Sequence, residues 1–372
     1  MNTKLHIISK EKEKTSHAHL HGRNSKTEAA IGRGMLSRFS HSLLLLCVMA
    51  FSFTAHAQTK TVLFNSPFTS DYNKSMPYRI PAIVETVDNS TGMTKILVFS
   101  DKRHGGGDVG QYQSNNKATN AHVDLVYKSS LDNGATWSSE QTIVRGSSTM
   151  GYGDVAVVAD RENPKNIVFF CAAGNVFFTN STSANPLRCY RFRSSDGGEN
   201  WDATEVTDDV YSLFDYTAAF FSSGRICQSS KIKVGSHYRL YTAQCVNGTH
   251  SIVLYSDNFG ETWNVLGGKG TVAVRSGNEA KCEELPNGSV LVSSRVSNGR
   301  YFNVFNYNDD TYTSGSWDGR GTGLSGKDGG ATNGEVLLVP AKNSSNESCY
   351  IMLQSLPFES GRKSVGICWR KL

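Results

Sequence analysis

The stretch Ser130-Leu131-Asp132-Asn133-Gly134-Ala135-Thr136-Trp137 has the pattern S-x-D-x-G-x-T-W, and it recurs. A second copy is Ser194-Ser195-Asp196-Gly197-Gly198-Glu199-Asn200-Trp201. A third, Ser256-Asp257-Asn258-Phe259-Gly260-Glu261-Thr262-Trp263, has Asn in the Asp place, and an eroded fourth ends at Trp317. The closing tryptophans stand 64, 62 and 54 residues apart, a period long enough for a four-stranded sheet with its turns. Asp or Asn folds the turn through its own side chain, Gly takes the φ > 0 position, and Trp packs the hairpin against its sheet. An alternating strand such as Val123-Asp124-Leu125-Val126-Tyr127 precedes each copy. The motif therefore marks a repeating β architecture and is not itself a catalyst.

Outward from the repeat, the N-terminal end reads as a leader. Residues 1–34 are polar and basic, and Met35-Leu36-Ser37-Arg38 leads into the apolar run Leu43 to Phe51, followed by Ala55-His56-Ala57 before Gln58. A basic start, a short apolar run and a small-x-small cleavage site predict an extension plus signal peptide over 1–57 and export of 58–372 to the periplasm, cell surface or medium. The run is too short for a membrane span. Residues 58–372 hold 30 basic and 30 acidic side chains, so the chain's surplus of cations belongs to the leader and gives no reason to expect nucleic acid as a partner. The seven cysteines after Cys47 show no Cys/His ligand spacing, so neither a metal nor a cofactor is predicted. Short alternating runs such as Ser289-Val290-Leu291-Val292-Ser293, with no helical period, make 58–372 one all-β unit. Thr61-Val62-Leu63-Phe64 is a candidate strand to close its ring against the last sheet.

Several charged segments stand out against this frame. Tyr78-Arg79-Ile80-Pro81 sets an Arg at a strand entrance. Ser100-Asp101-Lys102-Arg103-His104-Gly105-Gly106-Gly107-Asp108 puts an Arg and an Asp on a glycine loop that lacks the Lys-Ser/Thr of a phosphate cradle. Asp154 opens a strand in Gly151-Tyr152-Gly153-Asp154. The segment from Asn278 to Arg295 contains Glu279, Glu283 and Glu284, and Ser355-Leu356-Pro357 leads to Arg362.

With these segments in their order, the chain resembles the sialidase (neuraminidase) superfamily, in particular bacterial-type exo-α-sialidases with Asp-box repeats. The resemblance implies a six-bladed β-propeller, here with its last blade incomplete, and release of terminal sialic acid from glycans, glycoproteins or glycolipids with retention of configuration. It implies Arg79, Arg300 and Arg362 as the three arginines that grip the substrate carboxylate, with Arg103 and Asp154 on the O4 side of the sugar. Asp108 takes the role of general acid/base, with Asp124 as a rival, and Glu284 that of partner to a tyrosine nucleophile, with Glu279 and Glu283 beside it. No Tyr follows Arg362, so the same residues also fit a sialic-acid-binding propeller without hydrolysis, or a trans-sialidase. Arginine suits the task because guanidinium is always charged and binds carboxylate in bidentate fashion. A carboxylate nucleophile would meet like charge on the substrate, which is why this family departs from the paired-carboxylate rule.

Overall fold

Strand-forming runs between turn clusters become five antiparallel sheets in the computed structural model, which describes residues 6–7, 61–66, 77–111, 122–297, 299–319, 321–325, 332–359 and 363–372. The first blade is the meander Tyr78–Val87, Thr94–Arg103, Val123–Ser130 and Gln141–Val144. The second runs Gly151–Ala159, Ile167–Gly174, Arg188–Ser194 and Asp202–Glu205, and Gly224–Arg225 joins its first strand in parallel. The third is built on Cys227–Val234, His237–Val246, His250–Ser256 and Asn264–Val265. Blade four follows with Ala280–Glu284, Val290–Val296, Gly299–Tyr307 and Gly315–Trp317, and blade five with Val336–Lys342, Ser348–Glu359 and Lys363–Lys371. His6–Ile7 lies on the edge of the fifth.

Five sheets are thus described where the resemblance implies six. The expectation for the first strand is also corrected. Residues 61–66 form no strand; instead the Phe64 ring stacks on Tyr78 at 5.1 Å, and the Tyr78 N–H donates to Ser66 Oγ at 2.9 Å. Among the described residues helix is confined to Thr207–Tyr211 and the single turn Phe178–Asn180, and none is long and apolar enough to cross a membrane. All seven cysteines of the described residues are thiols.

The three repeated turns sit at one place in blades one to three, between the third and fourth strands. In the first, Gly134 N–H donates to Ser130 Oγ at 2.8 Å, Thr136 N–H to Asp132 Oδ1 at 2.8 Å, and Trp137 Nε1–H to the Gly134 carbonyl at 3.0 Å. The same bonds recur at Ser194, Asp196 and Trp201. Trp201 then packs 6.0 Å from Phe99 of blade one and 5.0 Å from Phe169 of blade two, while Trp263 packs 5.4 Å from Phe170 and 5.9 Å from Phe221. The second and third turns therefore tie their blades to the preceding one. Burying one such ring contributes about 1.5–3 kcal/mol.

Apolar cores fill the spaces between blades one and two (Leu97, Val155, Phe169), two and three (Phe170, Leu240, Leu254), and three and four (Tyr241, Val253, Val290). Blades four and five meet differently. Ser293 Oγ donates to Gln354 Oε1 at 2.6 Å, and Leu338 N–H donates to Glu283 Oε2 at 3.1 Å, with no bridging apolar cluster among the described residues.

Candidate active site

The innermost strands of blades one, two and four begin at a common cleft of about 560 Å³, a size suited to one sugar-sized ligand. Arg79 is the second residue of Tyr78–Val87, Asp154 the fourth of Gly151–Ala159, and Glu279 immediately precedes Ala280–Glu284. Two of these entrances are bulged: pairing slips between Arg79 and Ala82, and again between Gly153 and Ala156. At the bulges Ile80 has φ 55° and Asp154 φ 63°. For non-glycine residues this left-handed conformation costs on the order of 1–3 kcal/mol. Bulges turn a side chain out of the strand's alternation, and here they turn Arg79 and Asp154 into the cleft.

On one wall, blades one and two build a chain of alternating charge. Arg103, 1% exposed, donates from Nη2 to Asp101 Oδ2 at 2.8 Å and from Nε to the same oxygen at 3.2 Å. Its Nη1 bonds Asp108, and its Nη2 lies 3.9 Å from Asp154 Oδ1. Arg79 Nη1 reaches Asp108 Oδ1 at 3.4 Å, in a half-exposed pair. Burial pushes the Asp154 carboxyl up to about 7, the charge of Asp101 adding to this and Arg103 opposing it. Burial acts in the same direction on Asp101. Two direct N–H bonds from Arg103 hold the Asp101 charge, so the proton of this coupled pair resides on Asp154. The Asp154 N–H also donates to Asp101 Oδ1 at 3.1 Å.

The facing wall comes from blade four. Arg295 Nη1 donates to Glu279 Oε2 at 2.7 Å, and the Arg295 N–H donates to the Glu279 carbonyl at 2.8 Å. The charge of Glu279 is felt across the cleft at Asp154 and Arg103. Apolar side chains, Val109, Phe178, Leu187 and Phe220 among them, line part of the remaining surface. No tyrosine lines the cleft among the described residues.

Of the residues expected from sequence, Arg79, Asp108 and Asp154 line the cleft and Arg103 braces its wall. Glu284 and Arg300 do not line it, which corrects their placement. Glu284 ends the strand that Glu279 precedes, so five residues at roughly 3.3 Å each put it about 16 Å along the blade. It is tied instead to blade three, accepting from Ser229 Oγ, from Ser230 N–H at 2.7 Å and from Ser230 Oγ at 2.6 Å. Arg300 is 2% exposed and donates from Nη1 to the Thr332 carbonyl at 2.9 Å, from Nε to Ser293 Oγ at 3.0 Å and from Nη2 to the Ser293 carbonyl, so it stiffens the wall from behind. Arg362 lies outside the described residues. Asp124 is buried away from the cleft, between His104 Nε2 at 2.9 Å and His122 Nε2 at 3.0 Å, and anchors the start of the loop that carries Asp108. These three side chains form the one His/Asp group among the described residues with ligand-like spacing.

Sequence reading passed over Glu279 and Arg295 as ligand-facing groups, and Lys281, Asn333 and Glu335 altogether. The available signal was position in the repeat: Glu279 stands at the strand entrance that Arg79 and Asp154 occupy in earlier blades.

No family model matches the sequence, and no curated protein does. Solved structures do match in fold. The Hadza microbial sialidase Hz136 superposes with a TM-score of 0.60 at 21% identity, over 79% of this chain and 56% of its own. A leech intramolecular trans-sialidase, complexed with 2,7-anhydro-Neu5Ac, matches with a TM-score of 0.60 at 15% identity, over 83% of this chain and 60% of its own. The intramolecular trans-sialidase of Ruminococcus gnavus, complexed with oseltamivir carboxylate, matches with a TM-score of 0.57 at 14% identity, over 82% of this chain and 86% of its own. The chain thus spans less than two thirds of the first two proteins, and what it shares with these sialidases and trans-sialidases is the β-propeller fold.

Proposed function

We propose that the protein is an exported exo-α-sialidase that takes the terminal sialic acid of glycans, glycoproteins or glycolipids into this cleft. The observation that carries the reading is the pair of opposed ion pairs, Arg79–Asp108 and Arg295–Glu279, in one sugar-sized cleft. A substrate carboxylate entering between the arginines competes for Arg79, and Arg79 then leaves Asp108. With one of its two guanidinium partners withdrawn and a sugar covering it, Asp108, still held in place by Arg103 Nη1, is the carboxyl positioned to deliver a proton to the departing glycosidic oxygen. Glu279, oriented by Arg295, accepts a proton from the attacking group, which in the resembled family is a tyrosine hydroxyl. Asp154, braced from behind by Arg103, holds the sugar's far side, and Arg362 is proposed as a third carboxylate ligand.

Assay of the purified protein on a fluorogenic sialoside tests this. Glu279→Gln should lower turnover at least a hundredfold while Glu284→Gln leaves it within a few-fold of the parent; the reverse order refutes the assignment. A second reading, recognition of sialic acid without hydrolysis, is favoured by the absence of a tyrosine from the cleft lining among the described residues. Calorimetric binding of sialic acid with no product release would establish it, and 2,7-anhydro product would establish an intramolecular transferase.

A further inference from the structure

Three buried polar atoms lack a hydrogen-bond partner in one corner of the cleft: Lys281 Nζ, Asn333 Oδ1 and Glu335 Oε1. Lys281 is 3% exposed, and its ammonium stands 4.0 Å from Glu335 Oε2, too far for a hydrogen bond. Burial lowers its pKa, against the pull of Glu335 and Glu279. Asn333 is held by its other end, Nδ2 donating to Ser223 Oγ at 2.9 Å and to the Ser223 carbonyl at 3.3 Å. A carbonyl can only accept, so the amide orientation is set and Oδ1 is the atom left over. The Glu335 backbone is fixed as well, with its N–H on Ser355 Oγ at 2.9 Å and its carbonyl accepting from Gln354 Nε2 at 3.0 Å.

The next residue after Ser223 keeps this corner open. Gly224 has φ 111°, and a Cβ there would lie 2.6 Å from Lys281 Nζ and 2.8 Å from Glu335 Oε2. Any side chain would fill the space between the two charges. Buried polar groups are normally partnered, and three such orphans around one space cost stability unless something else occupies it.

The donor set restricts the occupant. An anion would be repelled by Glu335, a cation by Lys281, and an apolar group would leave all three atoms unpaired. Two adjacent hydroxyls satisfy them all, because each can donate and accept at once. We propose that Lys281, Asn333 and Glu335 form a diol-binding subsite, in which vicinal hydroxyls of the ligand donate to Glu335 Oε1 and Asn333 Oδ1 and one of their oxygens accepts from Lys281 Nζ. The ligand's class, a carboxylated polyhydroxy sugar, rests on the function proposed above. The subsite adds selection for the hydroxylated part of such a ligand over the carboxylate alone.

The test titrates two probes into the full chain. One is N-acetylneuraminic acid; the other is tetrahydropyran-2-carboxylate, which keeps a ring and a carboxylate and has no hydroxyl. Lys281→Met and Glu335→Gln should each weaken N-acetylneuraminic acid about tenfold, the loss of one charge-assisted hydrogen bond, and leave the hydroxyl-free probe unchanged. Lys281→Met should melt close to the parent, since the ammonium it removes has no hydrogen-bond partner and the Glu335 carboxylate it leaves behind is partly exposed. Unchanged affinity for the sugar in both variants, or equal loss of both probes, overturns the subsite. Arg79→Ala separates the two claims: it should weaken both probes, and if it weakens neither, the carboxylate reading fails while a sugar-only loss in Lys281→Met still upholds the diol subsite.

Discussion

Asp154 is a carboxyl that changes charge near neutral pH, and this links a site residue to global stability. Its value of about 7 in the folded protein stands above the ordinary 3.8, so between about pH 4 and 7 the native state binds the extra proton. Stability from this group is complete below pH 4 and is lost as pH rises through 7. Asp154→Asn should therefore gain on the parent by on the order of 2 kcal/mol between pH 4 and pH 8 in denaturant unfolding. A gap that does not change with pH would show that Asp154 is ionised throughout. A second expectation separates two glutamates. Glu284→Ala strips three hydrogen bonds from Ser229 and Ser230 and should cost about 2–3 kcal/mol with ligand affinity intact, whereas Glu279→Ala should cost less stability and abolish turnover. The sequence contains both residues in one acidic segment, and composition alone does not separate them. What separates them is which end of a strand faces the cleft, a property of blade register that a linear motif does not carry. Arg79 and Asp154 were legible because their segments match the order of motifs in the resembled family, which position at a strand entrance alone does not supply, since Glu279 shares it. Lys281, Asn333 and Glu335 were not, because their significance lies in partners they lack in three dimensions.

At the scale of the element, the repeated turn shows why the fold was readable from so little. Its Ser, Asp, Gly and Trp are close in sequence and satisfy one another locally, so the pattern survives whatever the blade packs against. Hydrogen bonds from Thr136, together with that from Ser130, hold the Asp132 carboxyl at about 2. At Asp196 burial acts upward, but the bonds from Asn200, Ser194 and Glu199 outweigh it and again leave a value of about 2. Both values lie below the ordinary one, so the stabilisation is present above about pH 4 and is lost as pH falls toward 2. The third copy supplies the control. Asn258 accepts from Thr262 N–H at 2.9 Å while its Nδ2 donates to Thr262 Oγ1 at 2.8 Å, so the threonine hydroxyl reverses its role. Thr136 can do likewise. Asp132→Asn should keep the turn, leave stability at pH 7 nearly unchanged, and move the acid-unfolding midpoint to lower pH. Loss of the fold at pH 7 would mean the carboxylate is needed for more than its acceptor geometry.

At the scale of the whole molecule, the cleft is assembled across blades that are not equally bound to one another. Apolar cores join blades one to four in sequence, whereas blade five is attached to blade four through Ser293–Gln354 and Leu338–Glu283. Val365 and Ile367 on its last strand are 72% and 46% exposed. Polar contacts add about 1 kcal/mol each, less than a buried aromatic cluster, so blade five belongs to the low end of the molecule's local stabilities. Yet Asn333 and Glu335, just before its first strand, form part of the cleft. A ligand that touches Arg79, Arg295 and this corner would join the least stable blade to the first and the fourth. Amide hydrogen exchange should show Val336–Lys342 and Ser348–Glu359 exchanging faster than Ile167–Gly174 in the free protein. Sialic acid at a hundred times its Kd, which adds about 2.7 kcal/mol to any opening that destroys the site, should slow exchange in blade five up to about a hundredfold. The same ligand should change blade two's buried strand only where opening is global. Protection confined to blades one and four would show that the ligand never reaches Asn333 and Glu335, and that blade five is no part of the binding unit.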